Sequence, residues 1–506
     1  MAVLYVGQRK AQQEATHMGK HKRGLARTQT ALLPAAVEDY VGADSIVRVI
    51  EAYVSQLNLA QLGFTGSVAA DTGRPGYAPD DLLSLYLYGY WNRVRSSRRL
   101  EIECHRNLEV MWLLGQLTPD HKSIAEFRRL NGVAFRKTCA KFVQLLREAS
   151  LLGQEPAVVA VDGSHFKASA SKASLMSAEQ LAKQSDKIEQ RIAAYLAQLD
   201  QADQQEQHEA QPSTEHIKAA LAKLREREQT LANAAVELEK KTAVADKEST
   251  PRVGLSDPDC VMLTKGGSSM AGYNVQQAVD TTHKFIIAHE VTTERNDKAS
   301  LLSISSQAQQ ALGVENLTSI ADSGYPNGEQ AQACEALGIT PVVRMAQVTH
   351  TKGADLYPKS QFTYDAATNT YRCPADQILS RYKRDHAKQT DYYRTPQCLN
   401  CAHKSHCTTS GQRSIARSWY AAAAERADAR ARAQPELMRL RSATAEHPFG
   451  NLKAMLEGGF LVRTLNKVKG EMALAVLTYN LKRALNLMGI EGLMKQMRTM
   501  ALPCGA

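Results

Sequence analysis

Two aspartates sit in matching contexts. Asp162 follows the apolar, β-branched run Ala157-Val158-Val159-Ala160-Val161 and precedes Gly163-Ser164, while Asp322 follows Leu317-Thr318-Ser319-Ile320-Ala321 and precedes Ser323-Gly324-Tyr325. Apolar runs of this length bounded by turn residues read as buried strands. Both carboxylates are therefore expected at strand ends, where open α/β sheets form their sites. Two carboxylates that converge repel each other unless a cation lies between them, and hard oxygen donors of this kind select Mg²⁺ or Mn²⁺. Taken singly, each aspartate is more often a turn residue or a helix cap, and it is the pairing of context that points to a site. A third acid, Glu446, stands in Thr444-Ala445-Glu446-His447-Pro448-Phe449-Gly450, with Arg430, Arg432, Arg439 and Arg441 before it and Lys453, Arg463, Lys467 and Lys469 after it. One reading makes it a local salt-bridge partner. The other makes it the third carboxylate of a site where two metal ions straddle a scissile phosphate, one activating water or a 3′-hydroxyl and the other steadying the leaving oxygen. The flanking cations would then neutralise backbone phosphates and fix the register of the strand.

A second cluster could hold a different metal. Cys373, Cys398, Cys401 and Cys407 give the spacing C-x24-C-x2-C-x5-C, with His403 and His406 beside them. The C-x2-C pair resembles a zinc knuckle, and four thiolates complete a tetrahedral structural Zn²⁺ site; the alternative is four free or partly buried thiols. Tyr382, Lys383, Arg384, Tyr392, Tyr393 and Arg394 interleave aromatics with cations in the same stretch. Such a surface can follow a nucleic-acid backbone and stack on exposed bases, or it can be a solvated basic loop.

The elements that must position these groups follow from pattern. Residues 1–30 carry Arg9, Lys10, Lys20, Lys22, Arg23 and Arg27 against Glu14 alone and read as a flexible basic arm. Residues 31–150 read as helical, with Asp80-Asp81 and Thr118-Pro119-Asp120 as helix starts and arginines including Arg98, Arg99, Arg128 and Arg129 nearby. Short helices with clustered arginines suit a DNA-binding domain, and equally a plain helical domain with a basic face. Residues 156–343 read as a mixed α/β core: the strand at 157–161, a hairpin of Tyr273–Asp280 with Phe285–Val291, a helix over 298–312, a strand at 317–321, a helix over 328–337 and a strand at 339–343. Residues 176–248 interrupt it with heptad-like spacing on either side of Pro212, an antiparallel helical hairpin suited to structural or subunit contact. Residues 344–435 form an insertion carrying the cysteine cluster, and 436–492 the last part of the core.

Composition bounds the rest. The chain has 506 residues and a formal net charge of +10, with 43% hydrophobic and 23% charged residues. Roughly three domains are expected at this length, and disorder over most of the chain is not. No apolar stretch is long enough to span a bilayer, and Met1 to Lys22 lacks the apolar run of a signal peptide. Nine cysteines, an odd number without that signal, argue against a disulfide framework and for a cytoplasmic location. The excess positive charge favours a polyanionic partner. The hairpin is net negative, so the positive surface lies elsewhere.

The chain resembles the DDE transposases of bacterial insertion sequences, most closely the insertion-sequence eleven-eighty-two group. The matching segments are Arg74-Pro-Gly-Tyr77, Tyr86-Leu-Tyr-Gly-Tyr90 with Arg93 to Arg99, Leu117–His121 through Phe127-Arg-Arg129, Val161-Asp-Gly-Ser164, Gly272–Gln276 with Ala278–Asp280, Ala321–Tyr325, Glu446–Gly450 and Tyr479–Arg483. They occur in family order over roughly residues 70–490. The resemblance implies an RNase H-like catalytic core, an α/β fold with a mixed sheet flanked by helices, behind an N-terminal all-α domain. It maps the catalytic triad onto Asp162, Asp322 and Glu446 holding Mg²⁺ or Mn²⁺. Related enzymes carry Tyr-x2-Arg-x3-Glu-x6-Lys around the glutamate. Lys453 matches the lysine, but Arg439 occupies the tyrosine place and Ser442 the arginine place, so Arg439 or Arg441 is the substitute.

The expected activity is metal-dependent cleavage at the element ends and strand transfer into target DNA. Lys453, Arg439, Arg441, Arg463, Arg98 and Arg99 are the expected DNA contacts. The expected partners are double-stranded DNA, as terminal inverted repeats and target, and further copies of the chain in at least a dimer. The rival readings are a nuclease of the same core that does not join ends, a non-catalytic DNA-binding regulator, and a scaffold binding only proteins.

Overall fold

A computed structural model of the chain describes residues 36–68, 76–152, 156–205, 213–244, 250–325, 327–345 and 356–501. The basic arm at 1–30, Arg74 and Pro75 of the first motif, Pro212 and Cys504 lie outside the described residues. At the centre is a mixed sheet. Strand β1 (Ala157–Lys167) lies between β5 (Ser268–Asp280) and β7 (Leu317–Ala321); β8 (Ile339–Val343) flanks β7, and β4 (Val261–Lys265) and β6 (Ile286–Thr292) both pair with β5. The β1–β7 and β7–β8 pairs are parallel, and the others in this sheet are antiparallel. Gly266 and Gly267, at φ 57° and 80°, make the two-residue turn from β4 to β5, a conformation that glycine adopts without steric cost.

The strand expected to end at Asp162-Gly163-Ser164 does not end there. β1 runs on to Lys167, paired with β5 from Val159↔Asp280 to Lys167↔Gly272. What stops just short of Asp162 is the parallel pairing with β7, which spans Ala157–Ala160 only. Asp162 therefore still opens beside the end of β7, where Asp322 sits. The hairpin β5–β6 and strands β7 and β8 follow the sequence pattern closely, and the intervening helices are Leu301–Leu312 and Gly328–Ala336.

Around the sheet the helices divide into groups. Ile46–Val54, Pro79–Trp91, Ser97–Arg106, His121–Leu130 and Gly132–Glu148 form the N-terminal part. Pro79 at the first helical position, Asp80 and Asp81 in the first turn, and Asp120 accepting from the Lys122 and Ser123 amides start these helices as the sequence leads one to expect. They do not pack alone. The helical segment Leu465–Ala501, broken at Gly489, runs against them, and one apolar core joins Val41, Phe135, Val279, Leu474 and Met497. A β-carbon on Gly470 would fall 2.7 Å from the Gly132 Cα, so these two glycines let the helices touch backbone to backbone. Arg95, inside the expected basic cluster, is buried: it pairs with Glu471 at 3.0 Å and donates to the Gly459 and Glu457 carbonyls. It is therefore a structural residue and not a surface cation.

Between β2 (Leu175–Met176) and β3 (Val253–Gly254), helices Ala178–Gln205 and Ser213–Val244 pack together. Leu181 and Ile188 near the start of the first meet Leu231 and Leu238 near the end of the second, the antiparallel arrangement expected from the spacing. After β8, strands β9 (Thr363–Asp365), β10 (Thr370–Arg372), β11 (Ile378–Asp385), β12 (Thr390–Arg394) and β13 (Ile415–Ser418) form a second, antiparallel sheet. The chain returns through helix Ala421–Ala433, which packs on β8, and then helix Pro435–Met455, which crosses β1. Among the described residues, no helix is long and apolar enough to cross a membrane.

Candidate active site

Asp162 and Asp322 are brought together by the parallel β1–β7 pair and are held from the far side by one arginine. Arg441, on helix Pro435–Met455, places Nη2 2.8 Å from Asp162 Oδ1 and 3.5 Å from Asp322 Oδ2. Each aspartate also accepts a local backbone N–H, Gly163 to Asp162 Oδ1 at 2.9 Å and Gly324 to Asp322 Oδ1 at 2.8 Å. Burial pushes the Asp162 carboxyl above its ordinary range; Arg441 opposes that shift, and the charge of Asp322 adds to it. The arginine thus supplies the positive charge that two converging carboxylates require. Of the two candidates left open by the sequence, Arg441 is the one at the carboxylates, whereas Arg439 is exposed.

The helix is fixed against the sheet by apolar packing and one amide. Ala445 packs with Ala160, Ile320 and Val342 beneath the two strands. Gln277, paired across β5 with Asp162, donates Nε2 to the Ala445 carbonyl at 2.9 Å. This contact sets the height at which Arg441 meets the sheet. Glu446 follows Ala445 on the helix and is exposed, and no ion pair joins it to Arg441. Lys453, two turns further on, holds its ammonium 5.8 Å from the Phe166 ring, which lies on the same face of β1 as Asp162. Burial and the charge of Lys265 lower the Lys453 pKa, while Asp162 acts in the opposite sense. Phe449 packs 6.1 Å from the same ring and holds this end of the helix on β1. Among the described residues, no three or more His, Cys, Asp or Glu side chains stand together in metal-ligating geometry.

Sequence reasoning overlooked a further carboxylate. Asp297 lies in the loop after β6, and its Oδ1 accepts from Asn274 Nδ2 at 2.8 Å and Gln276 Nε2 at 2.6 Å. It stands against Gly163 and Gly324, the glycines that neighbour the two aspartates. The signal available was the Gly272–Gln276 motif, whose two amide side chains face inward on β5.

The other expected cations fall in several places. Arg463 is exposed and donates to the Ser169 carbonyl at 3.3 Å. It lines a hollow of about 320 Å³ together with Arg128, Arg129 and Lys467. Arg98 and Arg99 are exposed on helix Ser97–Arg106. Arg128 is partly turned inward, over the Tyr86 ring at 5.7 Å and donating to the Arg95 carbonyl. The Tyr479–Arg483 motif is structural at several positions. Asn480 exchanges both of its amide groups with the Ile286 backbone, and Tyr479 donates to the Lys284 carbonyl.

In the second sheet, Cys373, Cys398, Cys401 and Cys407 are free, half-buried thiols lining one small pocket with His403. Burial raises the Cys407 thiol pKa, and the other three cysteines push it in the same direction. Tyr364, Tyr371 and Tyr393 stack into the core of this sheet, so Tyr393 is structural, while Tyr382 and Arg394 form a surface cation–π pair at 4.0 Å.

Two family models match the chain. Residues 35–130 match the family described as "Transposase domain (DUF772)", and residues 254–481 match the "Transposase DDE domain". No curated protein and no solved structure matches. The first match covers the N-terminal helices up to Leu130, and the second runs from β3 through the helix that carries Arg441, Glu446 and Lys453; helix Gly132–Glu148 and β1 with Asp162 lie between the two.

Proposed function

We propose that this chain, which carries a transposase DDE domain behind a second transposase domain, is a DNA transposase that cuts insertion-sequence ends and joins them to target DNA. The observation carrying the reading is the convergence of Asp162 and Asp322 on one cationic group of the helix that bears Glu446 and Lys453. In support of an RNase H-like core stand the strand order β6-β5-β1-β7-β8, with β1 central, and a closing helix that crosses β1. Affinity to the insertion-sequence eleven-eighty-two group rests on the order of the motifs.

The donor set suits a hard divalent ion: two carboxylates that already share one cation. Asp162, Asp322 and Glu446 would hold Mg²⁺ or Mn²⁺, which when bound supplies Lewis-acid activation of the attacking water or 3′-hydroxyl and charge stabilisation at the phosphate. The protein's own groups do the rest. Gln277 holds the helix that presents Glu446 and Lys453. Lys453, partly desolvated against Phe166, offers its charge to a phosphate near the scissile bond. Arg463, with Arg129 and Lys467 around the same hollow, grips the backbone further along, and Arg98, Arg99 and Arg439 extend the positive surface. Arg441 neutralises the aspartate pair in the metal-free protein. Terminal inverted repeats and target are the expected DNA, and at least two copies of the chain are needed to bring two ends together.

The cysteine cluster is read as a structural Zn²⁺ site, because all four thiols line a single pocket, Cys398 and Cys401 from one turn. Metal analysis of the purified protein should find about one zinc per chain, lost on Cys398→Ser together with Cys401→Ser. Metal-free protein that keeps the full stability of its second sheet would contradict this assignment.

The transposase reading is tested by cleavage of a duplex carrying an inverted-repeat end. Asp162→Asn, Asp322→Asn and Glu446→Gln should each reduce cleavage on the order of 10⁴-fold, the scale on which an essential group is felt, while retaining DNA binding.

A further inference from the structure

Asp297 belongs to none of the motifs, yet it touches the backbone beside both active-site aspartates. An ideal β-carbon on Gly163 would fall 2.5 Å from Asp297 Oδ1 and into the Gln276 amide. One on Gly324 would lie 2.9 Å from Asp322 Oδ1 and 3.6 Å from Asp297 Oδ2. Neither glycine has the positive φ that would require it on conformational grounds. Their lack of a side chain instead makes room for this carboxylate.

The carboxylate is held in place by a buried polar network. Asn274 and Gln276, both fully buried on β5, donate to Asp297 Oδ1, and Gln276 Nε2 also reaches Asn274 Oδ1 at 3.2 Å. The Tyr325 hydroxyl donates to Gln276 Oε1. Tyr325 is itself fully buried three residues after Asp322, and burial together with the charges of Asp297, Asp162 and Asp322 drives its pKa well above the ordinary value. The network therefore runs from the loop after β6, through β5, to the turn that carries Asp322.

We infer that Asp297 is a positioning residue of the transposase site, seating the Asp162-Gly163 and Asp322-Ser-Gly324 segments and adding a third negative charge behind the pair. The inference rests on the metal-dependent reading proposed above. A neutral asparagine could accept the same two amide hydrogen bonds and would fill the same space. A purely structural role is therefore satisfied by Asn, and the charge is what Asp adds. Placing three like charges together costs free energy in the metal-free protein and favours a divalent cation at Asp162 and Asp322.

The test is direct binding of Mn²⁺ to the full chain, followed by the loss of the free-ion electron paramagnetic resonance signal, alongside thermal unfolding and DNA cleavage. Asp297→Asn should keep the melting temperature and metal-free DNA binding, yet bind Mn²⁺ at least 5-fold more weakly than wild type, on the scale of one lost charge interaction. Cleavage should fall at limiting Mn²⁺ and recover in part at high Mn²⁺. Gly163→Ala, which must push Asp297 and Gln276 away, should show the same weakening. Wild-type Mn²⁺ affinity in both variants overturns the inference. If Asp297→Asn fails to fold, wild-type affinity in Gly163→Ala alone does so. Asp162→Asn serves as the control: if it binds Mn²⁺ and cleaves as wild type does, the reading of the site itself fails, and if it loses both while the Asp297 and Gly163 variants lose neither, only the present inference fails.

Discussion

At Arg441 a single guanidinium nitrogen serves two carboxylates, 2.8 Å from one and 3.5 Å from the other. Because burial raises the Asp162 pKa and Arg441 opposes that rise, the sign of a pH experiment is determined. In the metal-free protein the Asp162 carboxyl should therefore take up its proton at a pH above that of an ordinary aspartate. Arg441→Met should move this protonation to still higher pH, read from the carboxyl resonance of the metal-free protein; a titration that stays put or moves down would contradict the assignment. The two aspartates could be singled out in the sequence by their shared context, an apolar run followed by Asp and small residues, although either one alone reads more often as a turn residue or helix cap. Arg441 was not separable from Arg439, since two arginines two residues apart on a helix differ only in which way they face. That direction depends on how the helix seats on the sheet, through Ala445 and the Gln277 amide. Asp297 was invisible for a related reason: it lies in an irregular loop, and its partners come from β5, about twenty residues earlier in the chain.

Among the elements, β1 shows where local pattern and tertiary context part. Asp-Gly-Ser after an apolar run looks like a turn, but β5 runs alongside and keeps the strand extended to Lys167. The β5–β6 hairpin, β7 and β8 were plain from alternation and apolar runs. The small sheet β9–β13 was not expected, although Tyr364, Tyr371 and Tyr393 form its core. Its strands are three to eight residues long, and the cations interleaved with the tyrosines read as a surface. Helix contacts carry their own prediction. Arg95 and Glu471 are both buried and tie helix Leu465–Ala501 to the N-terminal helices. Arg95→Met leaves Glu471 buried without its cation and should cost about 3–5 kcal/mol in urea unfolding. A loss below about 1 kcal/mol would assign this junction to apolar packing alone.

Over the whole molecule, the two family matches fall on parts that share one core. The helices of residues 35–130 and the segment at 254–481 meet along helix Leu465–Ala501, so under the proposed function the parts assigned to end recognition and to catalysis would be mechanically joined. The net charge of +10 first pointed only to some polyanion. Its distribution is more informative: the hollow lined by Arg128, Arg129, Arg463 and Lys467 lies at the junction of the N-terminal helices with the C-terminal segment. Replacing Arg463 and Lys467 together with Ala should weaken binding across DNA sequences and lower the slope of log affinity against log salt by about 2. An unchanged slope would remove both residues from the DNA path.

The most direct test of the central claim supplies pre-cut inverted-repeat ends bearing free 3′-hydroxyls, a target duplex and Mg²⁺, and measures joined product. Wild-type protein should form joined strands, and Asp322→Ala should form none while still binding the ends. Cleavage without joining by the wild type would make the chain a nuclease with the same core, and full joining by Asp322→Ala would contradict the catalytic role given to the aspartate pair.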